Sequence, residues 1–93
     1  MSKQIIIPSD YNLNFNTISD FKDCMIRCGE VEFVWNDKIY DVVHPENGIL
    51  ITEGNKPKTE KLCKNADEVL EYMIDGERLR DIITKVKVVA RTI

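Results

Sequence analysis

The chain has 93 residues and a mass of 10.8 kDa, 43% of them hydrophobic and 31% charged, with a formal net charge of −3. That is enough for a single domain over residues 1–93, too apolar for a disordered chain, and without an apolar run long enough to span a bilayer. The acidic balance, with a pI near 5.1, argues against a general nucleic-acid binder. Met1-Ser2-Lys3-Gln4 lacks the apolar stretch of a signal peptide, so a cytoplasmic domain is expected.

Lys3 to Pro8 is β-branched and ends at proline, which predicts a short first strand. A polar loop follows, with Tyr11, Leu13 and Phe15 alternating as anchors. Thr17 and Asp20 have capping-box spacing, and Ile18, Phe21, Met25 and Cys28 form a stripe at helical spacing with Cys24 beside it. Gly29 is expected at the C′ position that ends this helix.

Glu30 to Trp35 alternates, with Val31, Phe33 and Trp35 on one side. Asn36-Asp37 and a second β-rich run, Lys38 to His44, predict a hairpin with a two-residue loop. That loop pairs Trp35 with Lys38, Phe33 with Tyr40 and Val31 with Val42. It also sets Glu32 opposite Asp41, an unfavourable like-charge pair unless the pair is solvated or bridged, or the loop is longer and the register differs. Pro45 to Gly48 reads as a turn and Ile49 to Glu53 as the third strand of a meander, followed by a basic loop to Thr59.

Asn65 caps a second helix, with Asp67 and Glu68 in its first turn. Ala66, Val69, Leu70, Met73 and Ile74 form its core stripe, and Asp75-Gly76 ends it. Leu79, Ile82, Ile83 and Val86 predict a short third helix. From Lys85 to Ile93 the alternation returns, with Val86, Val88 and Ala90 on one side and Lys87, Val89 and Arg91 on the other. The order β-α-β-β-β-α-α-β predicts an α+β domain: a mostly antiparallel sheet of four or five strands with helices packed on one face. The first and last strands are expected to be neighbours. A last strand at the sheet edge would allow a homodimer as well as a monomer, although its basic residues oppose such pairing.

The charges fall in blocks: acidic to Glu53, basic to Lys64, acidic to Glu77 and basic to the end. Asp67, Glu68, Glu71 and Asp75 would line the polar side of the second helix, either as a solvated face or as a docking surface for a basic partner protein. Lys56, Lys58, Arg78, Arg80, Lys85, Lys87 and Arg91 are the candidate phosphate contacts of an alternative nucleic-acid role. Trp35 and the loop residues Tyr11, Leu13 and Phe15 are either core or an exposed interface anchor.

The odd cysteine count points to reduced thiols, not disulfides. Cys24, Cys28, His44 and Cys63 would make up a Cys₃His zinc set, although Cys24 and Cys28 sit in a helix and not on the usual turn. A lone histidine and scattered carboxylates offer no nucleophile–base pair, and no glycine-rich phosphate loop is present. No enzyme activity and no cofactor are therefore expected.

The segments Asn65 to Tyr72, Leu79 to Ile83 and Glu30 to Trp35 resemble small uncharacterised proteins carried by phages and conjugative elements of Gram-positive bacteria. The resemblance covers residues 20–93. It implies an accessory protein that binds another protein, including components of host defence. A small protein-interaction module is the expected function.

Overall fold

The computed structural model describes residues 13–92, so the expected first strand at Lys3–Pro8, its pairing with the last strand, and Tyr11 lie outside the described residues. The described elements are α1 (Ile18–Ile26), β1 (Val31–Trp35), β2 (Lys38–Val43), β3 (Ile49–Glu53), a 3₁₀ turn (Pro57–Thr59), β4 (Lys61–Cys63), α2 (Ala66–Leu70), β5 (Met73–Ile74), β6 (Glu77–Arg78), α3 (Leu79–Ile82) and β7 (Lys87–Arg91). The larger sheet has the order β4-β3-β2-β1-β7, antiparallel throughout, and β5–β6 is a separate small hairpin. This is the expected α+β architecture.

Thr17 caps α1 from an extended backbone, its Oγ1 accepting the Asp20 N–H at 3.0 Å. The other end differs by one residue from expectation. Cys28, with φ 59°, is the left-handed residue at C′, and Gly29 follows it. The Cys28 N–H donates to the Met25 carbonyl and the Gly29 N–H to the Cys24 carbonyl, the paired bonds of a Schellman ending. Gly29 is required for a different reason. A Cβ there would collide with the Thr92 carbonyl oxygen and the Cys24 sulfur.

The β1–β2 hairpin has the expected register, with Trp35 opposite Lys38, Phe33 opposite Tyr40 and Val31 opposite Val42. Asn36 and Asp37 both have positive φ, 53° and 65°, as a two-residue primed turn demands. Phe33 and Tyr40 stack on the covered side with ring centroids 5.2 Å apart.

The second helix is shorter than its periodicity suggested. Asn65 caps it as expected, accepting the Glu68 N–H at 3.0 Å, but α2 stops at Leu70. Met73 and Ile74 belong to β5, and Met73 is 56% exposed. Asp75-Gly76 is a second two-residue turn, with φ of 51° and 86°, linking β5 to β6. Asp-Gly is a hairpin signal before it is a helix breaker. Strand β4 was not expected at all. It joins β3 through Ile49–Cys63, Leu50–Leu62 and Ile51–Lys61 pairs.

One buried cluster gathers Phe21, Cys24 and Met25 of α1, Val69 and Leu70 of α2, and Leu79, Ile82 and Ile83 around α3. These residues pack on Val31, Phe33, Tyr40, Val42, Ile49, Ile51 and Val88 of the sheet. The three α-helices thus sit on one side; among the described residues the other face carries no α-helix, and only the 3₁₀ turn reaches it, where the Thr59 and Thr52 hydroxyls lie 3.1 Å apart.

β7 contains the second departure from simple alternation. Its register to β1 shifts between Glu32 and Phe33, so Val88 opposes Phe33 while Ala90 opposes Glu32, and Val89 is the extra, bulged residue. After the bulge the faces exchange. Arg91, expected outside with Lys87, lies opposite Val31 and turns toward the core side. Its guanidinium sits 4.3 Å from the centre of the Phe15 ring and donates to the Leu13 carbonyl at 2.9 Å and to Asp20 Oδ1 at 2.8 Å.

Candidate functional site

The four acidic residues expected on one helix face are distributed over three local structures. Asp67 and Glu68 lie in α2, Glu71 is its C-cap, and Asp75 is in the β5–β6 turn. Each has a partner inside the fold. Asp67 pairs with Lys22 at 2.9 Å, and Glu68 accepts the Lys64 backbone N–H at 2.7 Å. Glu71 meets Arg78 at 3.5 Å and Arg80 at 3.3 Å. Asp75 accepts from Lys38 at 2.8 Å and from Asn36 at 3.1 Å, tying the two primed turns together. Those two donors hold its carboxyl below the usual carboxylate range, and the same contact raises Lys38.

Much of the basic set is also engaged. Lys56 pairs with Glu53 at 3.1 Å, Arg78 with both Glu71 and Asp81 at 3.5 Å, and Arg91 with Asp20. Lys58, Lys85 and Lys87 form no ion pair among the described residues, and they sit on separate elements. Of the seven residues proposed for a nucleic-acid backbone, Arg91 faces inward.

The candidate zinc ligands do not assemble. Among the described residues no three His, Cys, Asp or Glu side chains come together to hold a metal ion. Cys24 is buried with its thiol directed to the Thr92 carbonyl at 3.8 Å, and Cys63 is buried with its thiol 3.9 Å from the Lys61 carbonyl. Burial pushes both thiols up from their ordinary values. Cys28 is exposed at the end of α1. His44 Nε2 lies 2.8 Å from the Gly29 carbonyl oxygen, which can only accept, so Nε2 carries a proton and is unavailable as a ligand atom there. The expected anchors among the described residues are core-packed: Phe15 is buried, while Leu13 and Trp35 lean on the core half-buried. The Trp35 Nε1–H is shielded without a hydrogen-bond partner among the described residues.

Among the described residues, what remains open is the sheet face opposite the three α-helices. Val34 and Ile39 are cross-strand partners there, as are Val43 and Leu50, and Leu50 and Leu62. Ile39 is 47% exposed and Leu62 48%. Between these two apolar rows runs a third, Thr52–Asp41–Glu32–Ala90. Glu32 and Asp41 stand opposite each other, half-buried, with no ion pair or hydrogen bond from their carboxylates among the described residues. Asp41 leans toward Gly54, where a Cβ would lie 3.6 Å from its Oδ2. The two carboxylates therefore form a centre without an ion pair among the described residues, flanked by aliphatic rows, one of which continues into Lys87 on β7. The sequence contained a trace of this face: Val34, Ile39 and Val43 are apolar at the positions where one-sided strands carry polar residues.

No protein-family model matches the chain, and no curated protein or solved structure is significantly similar to it. No helix among the described residues is long and apolar enough to cross a membrane.

Proposed function

We propose that the protein is a small non-enzymatic interaction module that binds another protein through the open face of its sheet. The observation that supports this is the aliphatic surface of Val34, Ile39, Val43, Leu50 and Leu62, on which no helix packs among the described residues, whereas the opposite face carries the core. Half-buried aliphatic rows around an unpaired charged centre are interface material, because covering them removes apolar area from water. The acidic residues of the α2 region are a weaker candidate, since each is already neutralised or hydrogen-bonded within the fold. The resemblance to proteins of phages and conjugative elements would make this an accessory protein of a mobile element, acting in the cytoplasm on a host component.

The test is affinity capture with two baits, the wild-type chain and the Ile39→Gln/Leu62→Gln double variant. Both positions are half exposed, so the variant keeps the wild-type circular dichroism spectrum. A protein retained by wild type and lost with the double variant is the expected result. Equal retention by both baits removes the open face as the contact surface.

A further inference from the structure

The open face has a spacing as well as a composition. Along β2 its outward residues are Ile39, Asp41 and Val43, which places an aliphatic, an acidic and an aliphatic group in succession. Outward positions on a strand recur every two residues, about 6.7 Å. Four residues of an α-helix rise about 6.0 Å. A helix lying along β2 would therefore set its positions i, i+4 and i+8 over Ile39, Asp41 and Val43 in turn.

We infer that the occupant of this face is an amphipathic helix of a partner protein that carries a Lys or Arg at i+4 between aliphatic residues at i and i+8. This rests on the open face being the contact surface, as proposed above. The charge comes from Glu32 and Asp41, whose Cβ atoms as direct cross-strand partners are about 4.5–5.5 Å apart. A guanidinium or ammonium above them would neutralise a pair that otherwise repels, and its methylene stem would cover the neighbouring aliphatic rows. Two alternatives fit less well. A second copy docked face to face with its twofold axis near Asp41 would bring two such acidic pairs together, and a nucleic acid would bring phosphates to them. An extended strand laid on the face would leave its backbone groups unpaired, whereas a helix satisfies its own.

The experiment uses two fluorescein-labelled, stapled helical peptides of about five turns, roughly 18 residues. One carries Leu, Arg and Leu at i, i+4 and i+8, and its twin has Glu in place of Arg. Fluorescence anisotropy against the full chain should show the Arg peptide binding about 10-fold or more tightly than the Glu peptide. Glu32→Gln/Asp41→Asn should erase that preference while leaving the circular dichroism unchanged. Ile39→Gln/Leu62→Gln should weaken both peptides. Equal binding of the two peptides, or a preference that survives Glu32→Gln/Asp41→Asn, overturns the assignment of a cationic helix. So does failure of both peptides to bind at ~1 mM, the limit of weak affinity. Sedimentation showing a dimer that Ile39→Gln/Leu62→Gln dissolves would make a second copy the occupant and overturn it as well. Binding that appears only after deletion of residues 1–12 would make this chain's own segment the occupant, with the same consequence. In each case the capture experiment still decides independently whether the open face binds a protein.

Discussion

The two faces of the five-stranded sheet are built from the same strands yet obey different rules. On the covered face, Val31, Phe33, Tyr40, Val42 and Ile51 are at most 3% exposed and interlock with three helices. On the open face, their immediate neighbours Val34, Ile39 and Val43 are apolar too, and no helix packs on them among the described residues. The difference shows that strand composition here reflects two separate demands. One face holds the domain together, and the other leaves aliphatic side chains partly exposed among the described residues.

Substitutions at adjacent residues should separate the two demands most sharply. Phe33→Ala removes a fully buried ring stacked on Tyr40 and should cost about 3–5 kcal/mol, a large share of the stability of a domain this size. Val34→Ala, one residue on, should cost below about 1 kcal/mol. Urea unfolding midpoints measure both. Comparable losses at the two positions would mean that the open face is covered within the monomer.

β7 offers the same contrast across its bulge. Arg91→Ala should lose about 1.5–3 kcal/mol, the usual worth of hydrogen bonds to a charged group in a partly buried setting, because the side chain ties Phe15, Leu13 and Asp20 together. Lys87→Ala should stay within about 0.5 kcal/mol. Thermal melts of the pair would reveal whether the bulge at Val89 sets the difference.

Glu32→Gln tests the open face with the opposite sign. Relieving the like-charge pair should raise stability by about 0.2–1 kcal/mol while weakening a cationic partner. A variant that is both more stable and a poorer binder is the mark of a contact residue. The smallest effect concerns pH. The Asp75 carboxyl is held low by Lys38 and Asn36, so its contribution is present above the ordinary carboxylate value near ~4 and is lost as pH falls through its lower folded value. Asp75→Asn should make the acid side of a melting-temperature profile slightly shallower and leave the open face's binding unchanged.

The β1–β2 hairpin was legible because alternation, loop length and turn chemistry all agree on one register. Three features were hidden, each for a local reason. Met73 and Ile74 continue the 3.6-residue period of α2 by coincidence, and only the Asp75-Gly76 turn distinguishes a short helix plus a hairpin from a long helix. Lys61-Leu62-Cys63 is too short to show alternation, so β4 exists only through its pairing with β3. The Val89 bulge reverses the parity of β7, which placed Arg91 on the wrong side. The candidate surface was hidden by the same long-range dependence. Which aliphatic side chains are left over is decided by where the helices pack, and that information is spread over the whole chain.

The position of β7 also bears on how the domain is made. β1 to β4 form by neighbouring turns, but β1 must wait for Lys87–Arg91 before its second edge is paired. Thr92 then fastens the α1–β1 junction, exchanging hydrogen bonds with Glu30 at 2.9 Å through both its backbone and its hydroxyl. At ~5–20 residues per second, the interval between synthesis of β1 and of β7 is roughly 3–11 s. Until β7 is made, the nascent chain lacks the strand that pairs with the edge of β1 bearing Val31 and Phe33 among the described residues, and such an edge is the kind of strand that recruits other chains. A ribosome pausing before Lys87 would prolong the time in which β1 lacks this partner.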